Sequence, residues 1–325
     1  MKHGITSIWT IKSFFASILV SVLLSASALA QNPVRVIVGF TPGGTTDVMA
    51  RVLSNELSKR MNREFVVENR PGASGSIAAS AVARAAPDGD TLLFVSSTHA
   101  TAPSLYSNLS FDPKKDFAPV SMVATSPYVL VVNPKLPVKS LDELTAYLKK
   151  HPGTINFASS SVGTGQHLAG EVYKKEAGVD IIHVPYKGSS AALSDLISGR
   201  VEMMFDNVAV MLPQIKSGAL RPLAVTAPER FKGLPQIPTM AESGYSGFNV
   251  VSWFAMVAPA KTPDTYLNEL NKNINEVLTS EAFIKKLAEF GATPQPSTRE
   301  QTTAFIDSEI ARWHQVISGL GLKLN

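Results

Sequence analysis

From residue 33 onward the chain alternates between short apolar runs and longer stretches with helical periodicity. Short β-branched runs such as Val34–Val38 predict buried strands, and apolar side chains at helical spacing predict amphipathic helices. Strands are expected at residues 34–38, 65–68, 91–95, 120–132, 155–158, 181–184, 201–205, 220–225 and 248–257. Helices are expected at residues 47–61, 76–84, 141–149, 166–176, 191–198, 208–217, 263–279, 281–290 and 298–318. This order predicts parallel sheets with helices on both faces.

Two irregular stretches rich in proline interrupt the alternation, at residues 99–119 and 227–248. Long extended runs follow them, at 120–132 and 248–257. We therefore expect an α/β protein of two lobes, in which two parallel-type sheets are joined by these crossing strands as a hinge. The first lobe would comprise residues 31–123 plus 252–325, and the second residues 124–251. The alternative is one continuous doubly wound domain.

The beginning of the chain has the composition of an export signal. It carries Lys2 and Lys12, an apolar stretch from Phe14 to Leu24, and small residues ending at Ala30. A basic start, a short apolar core and an A-x-A end are typical of a cleaved secretory signal peptide. The apolar core is shorter than the about 20 residues that span a membrane. We predict that residues 1–30 are removed after export; the alternative is a retained membrane anchor.

Charge and composition exclude several classes of protein. The formal net charge is +4, and it falls to +2 without the two leader lysines, so we expect no nucleic-acid partner. The absence of cysteine excludes thiol catalysis, iron–sulfur clusters and cysteine-ligated zinc. The six histidines include no pair at i, i+4, and the sequence has no nucleophile elbow, phosphate-binding loop or dinucleotide fingerprint. No metal and no cofactor are predicted.

Small polar residues and glycines follow five of the predicted strands. These segments are residues 39–47, 96–99, 159–165, 185–190 and 206–207. In open parallel sheets, ligands bind beyond the carboxyl ends of the strands. The sequence therefore predicts a polar, weakly charged binding site built from these segments.

Two of these segments, 39–47 and 159–165, lead directly into predicted helices. A helix start presents unpaired backbone N–H groups and attracts anions, and glycine lets the backbone approach a ligand closely. Neither segment contains Arg or Lys. Hydrogen bonds to a charged group contribute about 1.5–3 kcal/mol each, so about four or five of them reach micromolar affinity in a closed site. Facing each other, the two segments would each hold one carboxylate of a diacid.

Individual side chains leave alternatives open. Asp47 is a candidate helix cap and a candidate partner of Arg51 at i, i+4. Asp206 could bind an amine, contact the ligand through water or pair across the lobe. His167 is expected to pack or cap its helix, whereas the role of His99 stays open. Four aromatic residues are expected in the core rather than in the cleft: Phe40, Tyr128, Trp253 and Phe254.

Several segments, in order along the chain, resemble the Bug-type (TctC-like) receptors of tripartite tricarboxylate transporters. They are VGFTPGGTTD at 38–47, ENRPGA at 68–73, PDG at 87–89, SVGTGQHL at 161–168 and HVPYKG at 183–188. The resemblance extends over essentially the whole chain after the leader. It implies a periplasmic receptor of two lobes that close on the ligand as a Venus flytrap does.

The same resemblance implies which residues hold a ligand carboxylate. In the first lobe they are Thr41, Gly43, Gly44, Thr45 and Asp47. In the second lobe they are Ser159, Ser161, Gly163, Thr164 and Gly165, with Asp206 as a further candidate. The implied ligands are di- or tricarboxylates, acidic amino acids or aromatic acids, and the implied partners are inner-membrane permease subunits.

Two other functions stay open at the level of sequence. A receptor that reports its ligand to a sensor kinase, without transport, would use the same binding site. A periplasmic enzyme would use His99 as a base together with the hydroxyl of Ser96 or Ser97. We expect binding without catalysis.

Overall fold

The structure, a computed structural model, describes residues 32–323, and the predicted leader therefore lies outside the described residues. The strands are β1 Val34–Val38, β2 Phe65–Asn69, β3 Thr91–Ser96, β4 Phe117–Val132, β5 Asn156–Ser159, β6 Ile182–Pro185, β7 Met203–Asn207, β8 Arg221–Val225, β9 Val251–Pro259 and β10 Thr293–Pro294. The helices are α1 Thr45–Met61, α2 Ser76–Ala83, α3 Thr98–Leu105, α4 Leu141–Lys150, α5 Gly165–Ala177, α6 Ser189–Ser198, α7 Val208–Lys216, α8 Asp264–Leu278, α9 Glu281–Glu289 and α10 Arg299–Leu320. A 3₁₀ turn spans Ala73–Gly75.

The strands form two sheets, which we use to define the two lobes. In the first lobe β1 pairs in parallel with β2 and β3, and β9 lies antiparallel between β3 and β4. In the second lobe β5 pairs in parallel with β6 and β7, and β4 lies antiparallel to β7 and β8. The α/β two-lobed fold predicted from the sequence is confirmed.

Strand β4 belongs to both sheets. It pairs with β9 as far as Pro127 and with β7 from Tyr128 onward. Its 16 residues make it long enough to cross both lobes, because a strand rises about 3.3 Å per residue. Register shifts beside Pro119 and Met122 interrupt its pairing with β9, and such bulges let a long strand bend.

The crossing differs in two respects from the sequence-based expectation. The crossing strand β4 is antiparallel to its neighbours, so each sheet is mixed rather than wholly parallel. The second long run, β9, pairs only within the first sheet. The lobe boundaries at 123/124 and 251/252 stay a prediction.

Helix α3 occupies part of the stretch that the sequence predicted as loop. Pro103 lies inside it, six positions into an eight-residue helix. A proline at this position removes one backbone hydrogen bond from the helix interior, and the helix ends two residues later, at Leu105. The proline content of residues 99–119 therefore concealed a short helix.

Apolar side chains pack on both faces of each sheet. One cluster joins β1 and β3 to α1 and α8, and a second joins β7 and β8 to α6 and α7. The largest cluster is continuous between the lobes, through Tyr128, Leu130 and Trp253. Within residues 32–323, no helix combines the length and apolarity that a membrane crossing requires.

Candidate functional site

A cavity of about 70 Å³ lies between the two lobes at the carboxyl ends of their strands. Its first-lobe wall comprises Phe40, Thr41, Gly44, Thr45, Thr46, Ser96, Ser97, Thr98, Ser252 and Phe254. Its second-lobe wall comprises Tyr128, Ser160, Thr164, Gly165, Gln166, Gly188, Ser189 and Asn207. None of these residues is an acid or a base with a full charge. The wall is therefore a neutral surface rich in hydroxyl and amide donors.

Five of the described helices begin at this wall, because each follows a strand that ends there. Their first residues or caps are Thr45, Thr98, Gly165, Ser189 and Asn207. The first N–H groups of a helix have no partner within the helix, and the helix dipole makes this end positive. The cavity thus has a favourable potential for an anion although no Lys or Arg lines it.

The first-lobe loop, residues 39–47, is held from behind by an ion pair. Asp47 is buried and accepts a hydrogen bond from the backbone N–H of Gly43 at 2.9 Å. It also accepts from Arg51 Nε at 3.0 Å and from Asn69 Nδ2 at 2.8 Å. Burial raises the pKa of Asp47, but the hydrogen bonds from Arg51, Gly43 and Asn69 outweigh it and hold the pKa below its ordinary value.

The second-lobe loop, residues 159–165, is held by uncharged rings. The N–H of Gly163 donates to His167 Nδ1 at 3.1 Å, and Ser159 Oγ lies 2.6 Å from His183 Nε2. The two imidazoles stack with their ring centres 3.9 Å apart. Burial lowers the pKa of His167 to about 3 and that of His183 to about 4, and both rings are therefore neutral at neutral pH.

A polar network centred on Gln166 supports the second-lobe wall, to which Gln166 and Ser189 themselves belong. Its Oε1 accepts the backbone N–H of Ser160 at 2.8 Å. Its Nε2 donates to Ser189 Oγ at 3.0 Å and to Asp206 Oδ1. Gln166 is buried, and its amide orientation is fixed by these three partners. The network connects the loop 159–165 to the ends of β7 and α6.

The lobes touch each other beside the cavity. Ser74 Oγ in the 3₁₀ turn donates to the carbonyl of Val162 at 2.7 Å and lies 3.2 Å from Ser161 Oγ. Thr101 Oγ1 in α3 donates to the carbonyl of Gly163 at 3.0 Å. We call these hydrogen bonds the latch. They join first-lobe side chains to the second-lobe loop, so the structure is a closed form.

The residues that the sequence singled out divide into two groups. Five of them form part of the cavity wall: Thr41, Gly44, Thr45, Thr164 and Gly165. The other six lie outside the wall and hold the loops or close the latch: Gly43, Asp47, Ser159, Ser161, Gly163 and Asp206. A direct role of either group in ligand binding stays a prediction.

Three of the aromatic residues expected in the core do pack in or against it, and they also line the cavity. They are Phe40, Tyr128 and Phe254, whereas Trp253 is fully buried and donates from Nε1 to Glu309 at 2.9 Å. Burial raises the pKa of Tyr128 to about 12, and its hydroxyl is hydrogen-bonded by Ser252 and Ser97. The position of Tyr128 just after the crossing point of β4 was not readable from periodicity. Gln166 and Ser252 lie outside the segments that the sequence predicted for the site, whereas Ser189 and Asn207 lie in the predicted segments 185–190 and 206–207 without having been singled out.

His99 does not form a catalytic pair with the serines beside it. Its Nε2 lies 3.3 Å from the carbonyl oxygen of Pro113, and its ring packs against Phe111 and Phe117. Ser96 Oγ and Thr98 Oγ1 form a hydrogen bond of 3.1 Å. Burial lowers the pKa of His99 to about 4. The geometry therefore gives no support to an imidazole base acting on the hydroxyl of Ser96 or Ser97.

Comparison with known proteins identifies relatives over almost the whole chain. The family described as the tripartite tricarboxylate transporter family receptor matches residues 49–322. BugT of Bordetella pertussis is 42% identical over 313 residues, which make up 96% of this chain and 96% of that protein.

Solved structures show the same fold. An R. palustris protein solved with adipate is 38% identical, with a TM-score of 0.87 over 91% of this chain and 99% of that one. MatC from Rhodopseudomonas palustris, solved with bound malate, is 31% identical, with a TM-score of 0.81 over 89% of this chain and 100% of that one. The same two-lobed fold occurs in a structure described as a periplasmic binding protein.

Proposed function

Because the chain belongs to the family of tripartite tricarboxylate transporter receptors, we propose that it captures a small dicarboxylate between its lobes and delivers it to a membrane permease. The observation that carries this proposal is the neutral cavity at which five of the described helices begin. Its donors come from both lobes, and the ligand would therefore join the lobes as it binds.

Backbone N–H groups and hydroxyls can provide the required affinity without a basic residue. Each hydrogen bond to a carboxylate contributes about 1.5–3 kcal/mol, and micromolar binding requires about 8 kcal/mol. The starts of α1 and α5 offer N–H groups from opposite walls, and Thr45 and Thr164 add hydroxyls. Water exclusion by the closed lobes strengthens these bonds.

Two opposed donor sets favour a ligand with two carboxylates. The cavity of about 70 Å³ has room for about five water-sized groups, which matches a short acid better than a bulky one. The relatives solved with adipate and with malate, two dicarboxylates, support this ligand class. Capture by hinge closure is the mechanism that the crossing strand β4 and the latch support.

The partners and the compartment are proposed on separate grounds. The predicted leader at residues 1–30 and the family description support export to the periplasm and delivery to inner-membrane permease subunits. We expect capture and release of an unchanged ligand rather than its conversion. Loss of uptake of the bound acid in a strain that lacks this gene is the outcome expected of a transport receptor.

The test is a binding screen on residues 31–325, unfolded and refolded to remove any co-purified ligand. Adipate, malate, citrate, glutamate and benzoate are compared by thermal shift and by calorimetry, with adipamide as the uncharged control. At a hundredfold excess over Kd, a ligand raises the free energy of unfolding by about 2.7 kcal/mol. We expect a diacid to bind and adipamide not to bind.

A matched pair of variants assigns the binding to the cavity. Thr45→Val removes a wall hydroxyl and should weaken diacid binding by about tenfold, since one hydrogen bond to a charged group is lost. Thr303→Val makes the same change on the exposed side of α10 and should bind as the wild type does. The proposal is wrong if no acid binds, or if adipamide binds as tightly as adipate.

A further inference from the structure

Asp206, at the end of β7, is a buried carboxylate with one unpartnered oxygen. Its side chain is 0% exposed. Oδ1 accepts the backbone N–H of Asn207 at 2.7 Å and a hydrogen bond from Gln166 Nε2, and Ser189 is also hydrogen-bonded to the carboxylate. Oδ2 has no hydrogen-bond partner within the described residues. Such a group is costly in its charged form, because its lost hydration is only partly replaced.

No cation compensates this charge from the elements packed against β7. Strand β4 contributes Tyr128, and α5 contributes His167, with His183 stacked behind it. Helix α5 also carries Glu171, which lies 3.7 Å from His167, and Tyr173, which packs against Phe205 of β7. Its two cations, Lys174 and Lys175, lie in its last turn and are bound to Asp180 and to the carbonyl of Gly319. Helix α6 carries only Asp195, which is bound to Arg200, and α7 carries only Lys216, its last residue. Strand β5 carries no titratable side chain. Tyr128 and both imidazoles are neutral at neutral pH, since burial raises the pKa of the phenol to about 12 and lowers those of the rings to about 3 and 4.

The donors that hold Asp206 are also wall residues of the cavity. Gln166, Ser189 and Asn207 all line the space that we assign to the ligand. An ionised Asp206 orients their N–H and O–H groups toward itself and places a negative charge directly behind the wall. An anionic ligand in the cavity therefore meets competition for donors as well as charge repulsion. Protonation of Asp206 removes both obstacles.

We propose that Asp206 takes up a proton when the cavity captures a dicarboxylate, so that ligand capture is coupled to proton uptake. The proposal rests on the proposed function, because it assumes that the cavity holds an anion. The unpartnered Oδ2 becomes the O–H of a carboxylic acid, and Gln166 and Ser189 are then free to turn their donors to the ligand. Asp206 acts here as a positioning residue through the wall residues it binds.

The coupling has a defined pH window. Burial, only partly offset by hydrogen bonds from Gln166 and Asn207, raises the pKa of Asp206 to about 6 in the closed form. A bound anion raises this pKa further. Affinity is therefore full below pH 6 and declines as the pH rises above it, by up to about tenfold per pH unit until the pKa of the complex is reached. At pH 7 each binding event takes up close to one proton.

The experiment measures binding of adipate, with malate as a second probe, at pH 7 and pH 8, where the free diacids are fully ionised. Calorimetry in imidazole and in Tris, which differ in ionisation enthalpy, gives the number of protons taken up per ligand. We expect uptake close to one proton at pH 7 and a decrease in affinity of several-fold at pH 8. The wild-type protein is sufficient for this test, so its outcome does not depend on whether any variant folds.

Two variants test whether Asp206 is the group that takes up the proton. Asp206→Asn fixes the uncharged state, so we expect pH-independent binding at least as tight as that of the wild type, without proton uptake. Asp180→Asn removes an exposed carboxylate paired with Lys174 and should leave the uptake unchanged. Binding of a diacid without proton uptake, or uptake that persists in Asp206→Asn, overturns the coupling alone. Failure of both diacids to bind at any pH from 5 to 8 overturns the proposed function and the coupling together.

Discussion

The two loops that face each other across the cavity present the same kinds of donor but are supported in opposite ways. The first-lobe loop, residues 39–47, is exposed at Thr41–Gly43 and is held by the ion pair of Asp47 with Arg51. The second-lobe loop, residues 159–165, is held by neutral imidazoles and by the amide of Gln166. The comparison shows that an anion site without bases can hold one loop through an ion pair and the other mainly through neutral groups.

The two loops have different kinds of support because their supporting side chains are buried to different extents. Arg51 is about half exposed, so its charge stays hydrated while its guanidinium holds the buried Asp47. Behind the second loop, His167 and Ser159 are almost completely buried, and no water-exposed cation reaches them within the described residues. Neutral rings are the less costly support there, because a buried charge without a partner is strongly destabilising. The first wall can therefore be disrupted through charge, and the second through packing or protonation.

The largest effect is expected when the packing of the second loop is broken by Gly165→Ala. A Cβ at this position would lie 2.2 Å from the Tyr128 hydroxyl, which is buried and cannot move aside easily. Overpacking of this kind costs about 1–3 kcal/mol of stability. Because both residues line the cavity, diacid affinity should fall by about a hundredfold or more. Urea unfolding and calorimetry measure the two effects.

Two other glycines provide the controls for this prediction. Gly43→Ala meets open space but places alanine at a φ of +83°, so we expect a loss of about 1 kcal/mol and a smaller loss of affinity. The N–H of Gly43 already donates to Asp47, which is consistent with a supporting role. Gly247→Ala meets neither a close atom nor a positive φ and should be neutral. Equal effects at Gly165 and Gly43 would contradict the contrast between the loops.

Acidification is expected to have an intermediate effect. The side chains that support the two loops should lose their contributions to stability over different pH ranges. Burial lowers the pKa of His167 to about 3 and of His183 to about 4 from an ordinary value of 6.5. Their contribution to stability is complete above pH 6.5 and is lost as the pH falls toward 4. The pKa of Asp47 lies below its ordinary 3.8, so its contribution is lost only below about pH 4. The support of the second loop should therefore lose its contribution to the free energy of unfolding at a higher pH than the support of the first loop.

Urea unfolding at pH 7, 5 and 4 separates the two supports. Asp47→Asn should destabilise the protein by about 1–3 kcal/mol equally at pH 7 and pH 5, because it removes bonds to a charged group. His167→Asn should also destabilise it at pH 7 but should flatten the loss between pH 7 and pH 4. Because its pKa is raised to about 6, Asp206 increases the stability as the pH falls below 6, whereas the histidines decrease it. Asp206 is present in both the wild type and His167→Asn, so the difference between their free energies of unfolding reports on the histidine. An unchanged acid slope in His167→Asn would contradict the assignment.

The sequence was sufficient to predict the strand ends and the two glycine loops, because periodicity and helix starts are local properties. The pairing of Asp47 with Arg51 follows in the same way from i, i+4 spacing. The side of each loop that faces the cavity was not predictable, since it depends on the position at which β4 changes sheets. This is why Tyr128 and Phe254, apolar in pattern, lie at the wall, and why Gly43 and Ser159 lie outside it.

The smallest effects are expected at the latch, which joins the 3₁₀ turn and α3 of the first lobe to the second-lobe loop without lining the cavity. Thr101→Val removes the hydrogen bond to Gly163, and Ser74→Ala removes those to Val162 and Ser161. Each loss should cost about 0.5–1.5 kcal/mol and should act on the closed form alone, because these partners meet only across the cleft. Affinity should therefore weaken about two- to tenfold per variant.

Small-angle scattering with and without adipate measures whether the latch variants favour the open form. The ligand-free double variant should have a larger radius of gyration than the wild type, and ligand should restore compaction at higher concentration. Both latch residues donate to carbonyls of the second-lobe loop. The loop that neutral groups support is therefore also the loop that the first lobe contacts through hydrogen bonds. If the double variant binds adipate with wild-type affinity, the ligand alone drives closure, and the hydrogen bonds of the latch contribute nothing to it.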